Sequence, residues 1–217
     1  MRTTRWFIAG LVCTASLSAT ASAQQSRYFD DSWFWGVKSG VATFSPTLGG
    51  NETAATYGGE WLITRSRGGL YLSFDQANVS TVSAVIDANT SDGFRPVTVN
   101  KLRRIGFAAL AFPKRFGRFR PYAGLGLSID VVGSASPQVG ASGDSVDAAV
   151  FDRIDQNRSQ AGVLGMAGVQ MQFERLAIFG QASVVGGQSS FLLGNNALGF
   201  FEGGVRYNFG SSRDGSR

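Results

Sequence analysis

From about residue 33 to residue 209 the chain is a series of blocks in which apolar and polar residues alternate one by one. The last block is the plainest. Phe201, Gly203, Val205, Tyr207 and Phe209 share one parity, and Phe200, Glu202, Gly204, Arg206 and Asn208 share the other. A period of two is the mark of a β-strand whose two faces meet different surroundings. The same pattern predicts strands over residues 33–44, 55–64, 70–75, 99–112, 120–132, 160–173, 176–185 and 199–209. In 120–132, Ala123, Leu125, Leu127, Ile129 and Val131 lie opposite Tyr122, Gly124, Gly126, Ser128 and Asp130. In 99–112 both faces carry apolar residues, so its parity is ambiguous. No segment shows a helical period.

The predicted connections alternate in length. Short links at 65–69, 113–119 and 174–175 follow the second, fourth and sixth strands. Longer ones at 45–54, 76–98, 133–159 and 186–198 separate the rest. An even number of strands with all the long loops at one end is the pattern of a membrane barrel. The faces carrying Lys38, Glu60, Asp130, Gln170, Gln181, Glu202 and Arg206 are otherwise mostly Gly, Ala and Ser. A soluble surface would hold many more Lys and Glu. A narrow lumen explains small residues among a few charges. Lipid explains outward apolar faces with aromatic residues near the strand ends, such as Trp33, Trp35, Trp61, Tyr207 and Phe209. The expected fold is all-β: an eight-stranded antiparallel up-and-down transmembrane β-barrel.

Composition fits that picture. Charged residues make up 16% of the 217 residues, and there are 29 glycines; ordinary soluble domains carry about 25% charged residues. The first 23 residues read as a signal peptide: Arg2 and Arg5, an apolar run from Trp6 to Leu17, then Ala21-Ser22-Ala23 before the cleavage point. The mature barrel domain is expected over 24–209, with a flexible periplasmic tail at 210–217. Cys13 leaves with the signal peptide, so neither disulfide nor thiol chemistry is expected. The net charge of +5, less the two N-terminal arginines, leaves +3. An exported chain with no basic run beyond residues 114–120 gives no nucleic-acid partner. Arg65, Arg67, Lys114, Arg115, Arg118 and Arg120 fall in or beside the short turns, where they serve solvation and orientation.

Histidine is absent, which removes Ser-His hydrolysis and His-based metal sites. No enzyme activity, cofactor or metal site is expected. Asp144, Asp147, Asp152 and Asp155 match no EF-hand spacing. Gly124-x-Gly126 has no strand-to-helix switch and is not a nucleotide fingerprint.

Two segments carry a family resemblance. Glu202, Gly204, Tyr207 and Phe209 resemble the C-terminal assembly signal of Gram-negative outer-membrane barrels. Arg120-Pro121-Tyr122-Ala123-Gly124-Leu125-Gly126-Leu127 is similar to a segment of small eight-stranded barrels of the OmpA/OmpX-like superfamily. The resemblance implies a cell-envelope protein of the outer membrane, contacting outer-membrane lipid and lipopolysaccharide. It also implies handling by the barrel-assembly machinery and periplasmic chaperones. Here residues 210–217 follow the terminal aromatic residue, where the family usually ends on it.

Lys38, Glu60, Asp130, Glu202 and Arg206 form a candidate lumen cluster. The lumen of an eight-stranded barrel is just wide enough for side chains to fill. Charges enclosed there must pair, so a salt-bridge plug is expected. Three functions stand open. One is a monomeric barrel with a structural or surface-interaction role through extracellular loops 76–98 and 133–159. The others are a narrow, porin-like pore for small solutes, and a soluble exported barrel binding an apolar ligand.

Overall fold

The computed structural model describes residues 29–139, 146–186, 191–194 and 197–211; the expected signal peptide and the tail beyond Ser211 lie outside them. The strands are β1 (Ser32–Phe44), β2 (Glu52–Thr64), β3 (Gly68–Ala77), β4 (Thr81–Ile86), β5 (Phe94–Ala111) and β6 (Phe119–Pro137). A helix, α1 (Ala148–Asn157), precedes β7 (Ser159–Phe173), β8 (Leu176–Val185) and β9 (Leu198–Ser211). All pairings between neighbours are antiparallel. The sheet runs β3-β2-β1-β9-β8-β7-β6-β5 and closes because β3 also pairs with β5. The result is an eight-stranded barrel with no open edge around its girth. β4 stands outside that count. It continues the path of β3 after a break at residues 78–80 and pairs with the first third of β5.

The inside is where the polar parity goes. Glu60, Asp130, Gln170, Glu202 and Arg206 are all buried, Arg206 fully so. Their apolar neighbours point out: Val37 is 64% exposed, Leu125 71% and Phe201 58%. A protein in water would bury these; a barrel in lipid presents them. Aromatic rings gather at the end of the barrel where the short turns lie. Trp35 stacks on Trp61 at 5.6 Å, Trp33 meets Trp61 edge-on at 5.5 Å, and Tyr207 packs on Phe209 at 5.0 Å. This end is the turn end, and the opposite one the loop end. The parity of β5, ambiguous in sequence, resolves with Leu102, Arg104, Ala108 and Leu110 inward and Arg103, Ile105 and Phe107 outward.

The two long connections are more ordered than their composition suggests. The span 76–98, expected as a loop, contains all of β4 and the start of β5. Thr81, Ser83 and Val85 are buried while Val82 and Ile86 are exposed, so it is an alternating strand, two of whose three inward residues are small hydroxyls. The span 133–159 holds the end of β6 and all of α1. That helix corrects the expectation of no helical segment. Only Val150 and Ile154, one turn apart, are buried on it. Two inward residues in ten, with the apolar Phe151 facing outward, make too thin a stripe to stand out as a 3.6-residue period.

Candidate functional site

Charged groups from six strands converge in the lumen, and strand register brings them there. Lys38 on β1, Glu60 on β2, Asp75 on β3, Arg104 on β5, Asp130 on β6, and Glu202 and Arg206 on β9 all lie on inward positions. Glycines at neighbouring inward positions leave the room. A Cβ on Gly58 would stand 2.3 Å from an Asp75 carboxylate oxygen, and one on Gly168 2.6 Å from the Tyr122 hydroxyl.

Two centres share these charges. In the first, Lys38 Nζ lies 2.8 Å from Glu202 Oε2 and 2.9 Å from Asp75 Oδ1. The Arg104 guanidinium joins the same carboxylates, at 2.7 Å from Asp75 Oδ2 and 3.4 Å from Glu202 Oε2, and stacks 3.6 Å above the Phe200 ring. In the second, Arg206 Nε donates to Glu60 Oε1. Arg206 Nη1 donates to Gln170 Oε1 at 2.8 Å, and Nη2 to the Tyr122 hydroxyl and Gln181 Oε1, both at 3.3 Å. Its guanidinium lies 3.8 Å over Phe179.

Tyr71 and Gln181 join the two centres. Lys38 Nζ donates to the Tyr71 hydroxyl at 3.0 Å, and that hydroxyl donates to Glu60 Oε2 at 3.1 Å. Gln181 Nε2 donates to both the Tyr71 hydroxyl (3.0 Å) and Glu202 Oε2 (3.1 Å). Such a network is costly to open. Each ion has lost its water, and removing one partner leaves the other charge buried and alone.

Four of the five expected cluster residues, Lys38, Glu60, Glu202 and Arg206, therefore lie in one network. The fifth does not join it by an ion pair. Asp130 accepts from Ser128 Oγ at 3.2 Å and sits across the ladder from Arg104. Asp75, Arg104 and Tyr71 are additions to the expected cluster, and Tyr122, which parity places on the face of Asp130, joins it too. Asp75 shares a parity with Tyr71 and Ser73, which offers a signal. For Arg104 the signal is hidden, because Arg103 beside it carries the same charge on the opposite face.

Apolar layers close the lumen on both sides of this polar belt. At the turn end Phe29, ahead of β1, enters the barrel mouth and meets Phe112 edge-on at 4.9 Å, with Arg120 at 3.8 Å over its ring. Phe34 and Leu62 complete that layer. At the loop end Val85, Val97, Val150, Ile154, Leu192 and Leu193 are all buried in one cluster. The Asp144 position lies outside the described residues. Asp147 accepts from Asn89 and Asp155 pairs with Arg158 at 3.0 Å, and among the described residues no three acids converge as a metal site.

No protein-family model matches the chain, and no curated protein matches it. Solved structures do. Neisserial surface protein A (NspA) superposes with a TM-score of 0.54 at 16% identity, covering 82% of this chain and 97% of that one. Ail, the attachment invasion locus protein of Yersinia pestis, gives 0.47 at 12% identity over 83% and 100%. The N-terminal β-barrel domain of Pseudomonas aeruginosa OprF gives 0.47 at 14% identity over 83% and 98%. With closed antiparallel topology, inward charges and an outward apolar belt, the chain has the fold of the small eight-stranded outer-membrane β-barrels.

Proposed function

We propose that this chain is an integral outer-membrane barrel with a closed lumen, serving a structural and surface-interaction role through the elements at its loop end. The observation that carries the surface role is the wall formed by β4, β5 and β6. A strand needs about 9–11 residues to cross a bilayer, whereas β5 has 18 and β6 has 19. Their excess, with β4, rises beyond the belt at the loop end. Asp87 N donates to Gly93 O at the hairpin tip. The alternation of an antiparallel ladder therefore turns the backbone groups of Val82, Ala84 and Ile86 away from β5. β4 reads TVSAVI, without a charge or proline. Proteins that avoid strand pairing usually place such residues on an edge.

Outer-membrane lipid and lipopolysaccharide are the surroundings this reading gives the belt. Tyr207 and Phe209, outward on β9, with Glu202 and Gly204, would present the assembly signal to the barrel-assembly machinery and its chaperones. The test combines location with orientation. The protein is expected to require detergent for extraction from the outer membrane and to shift on a gel between unboiled and boiled samples. A Thr90→Cys variant, at the hairpin tip, should label with a membrane-impermeant maleimide on intact cells. A Glu174→Cys variant, in the turn at the other end, should label only after lysis. Recovery in the soluble periplasm, or the reverse labelling pattern, overturns the proposal.

A further inference from the structure

The outward belt is not uniform. Most of its positions are Val, Leu, Ile, Phe or Trp, but small residues interrupt it, and one diagonal row is alanine on four strands in succession. Ala111 on β5, Ala123 on β6, Ala167 on β7 and Ala182 on β8 are successive cross-strand partners, and the row ends against Phe201 on β9. Beside it Leu125 and Val184 form a wall. The result is an open apolar groove of about 960 Å³ on the barrel exterior. Four inter-strand steps of about 4.8 Å give it a length of about 19 Å. With strands tilted by about 45° the row climbs about 14 Å, close to the ~15 Å half-thickness of a bilayer's hydrocarbon core. An acyl chain rooted at one membrane surface fits along it.

The foot of the groove is at the turn end. Ala111 closes β5 and runs directly into the turn at residues 112–118, which carries Lys114 and Arg118. Both are exposed, and among the described residues neither pairs with a carboxylate. Each instead lies near a ring: Lys114 Nζ is 5.9 Å from the Phe116 centroid and the Arg118 guanidinium 5.6 Å from that of Phe173. Phe116 is 60% and Phe119 52% exposed, as suits side chains at headgroup depth. Basic groups at the interface directly beneath an apolar groove complement a lipid with a negative headgroup.

We infer that this groove is a binding site for one anionic phospholipid, its acyl chain along the alanine row and its phosphate on Lys114 and Arg118. The inference rests on the membrane-embedded reading above. Short turns face the periplasm in such barrels, so the site takes its lipid from the inner leaflet.

The test is native mass spectrometry of the folded barrel released from mixed micelles of phosphatidylglycerol and phosphatidylcholine with identical chains. The wild type should retain one phosphatidylglycerol in preference to phosphatidylcholine. Each basic side chain near a charged membrane surface is worth about fivefold, so Lys114→Gln with Arg118→Gln should lower the preference about thirty-fold. Ala167→Phe, which fills the middle of the row, should end retention of both lipids. The double Gln variant alters only the exposed turn and keeps the test open where Ala167→Phe fails to give the heat-shifted band. Equal retention of the two lipids, or unchanged retention in the folded variants, overturns the inference. So does a dimer of the wild type that Ala167→Phe disperses, which would assign the groove to a second copy. A protein that needs no detergent instead fails the membrane reading itself.

Discussion

At the scale of single residues the lumen network concentrates its consequences on Arg206. This side chain is fully buried, and all three of its guanidinium nitrogens have partners on other strands. Its removal leaves Glu60 buried without its cation. Arg206→Ala should therefore destabilise the barrel by about 3–5 kcal/mol. The measurement is reversible urea unfolding in micelles or vesicles. The double change Glu60→Leu with Arg206→Met removes both charges together and should cost clearly less than Arg206→Ala alone. A cost equal to or above that of the single variant would show that the pair contributes more than mutual neutralisation. Not every buried charge matters in this way. Asp130, tied to Ser128 rather than to a cation by an ion pair, stands outside the network that Arg206 anchors.

Among elements, the β4–β5 hairpin at the loop end carries a buried ion pair of its own. Asp87 and Arg95 form a buried ion pair at 2.5 Å just beyond the end of β4. The hydrogen bond from Arg95, reinforced by the backbone N–H of Asn89, holds the Asp87 carboxyl below its ordinary value of 3.8. Folding therefore favours the charged form. The stabilisation is fully present above the ordinary carboxyl value and is lost as pH falls through the lower, folded value. The hairpin should resist opening at neutral pH and loosen below about pH 4. Amide hydrogen exchange over residues 86–94, corrected for intrinsic pH dependence, checks this. Asp87→Asn should show the loosened exchange at all pH values and lose the transition.

For the whole molecule the question is passage through the barrel. Three layers stand in series: Phe29 and its ring partners, the polar network, and the valine- and leucine-rich cluster under α1. An interior of eight strands is only about wide enough for its own side chains. The wild type should show no steady ion conductance in planar bilayers. Arg206→Ala, which removes only part of the middle layer, should destabilise without opening a sustained current. A stable wild-type current would restore the narrow-pore alternative. The same closure sets the limits of surface chemistry: a barrel filled from end to end leaves its belt and its two ends as the surfaces open to other molecules.

Alternation by itself determines most of the fold. A strand's two faces differ by parity alone, so Trp35 against Lys38, or Leu125 against Tyr122, declares inside and outside without any knowledge of neighbours. Strand number and the placement of short turns follow from the same pattern. Polar residues among glycines mark Lys38, Glu60, Glu202 and Arg206 as inward positions. Tertiary structure decides the rest. Which carboxylate meets which cation depends on register between strands far apart in sequence, and that pairs Lys38 with Asp75 and Glu202 while leaving Asp130 aside. The inward side of β5 is a matter of which neighbours it faces, because Arg103 and Arg104 are alike in chemistry. β4 and α1 form where their sequence signals are weak, since Ser83, Val150 and Ile154 find their burial only against the other elements at the loop end. The alanine row, spread over residues 111 to 182, becomes a groove only when four strands lie side by side.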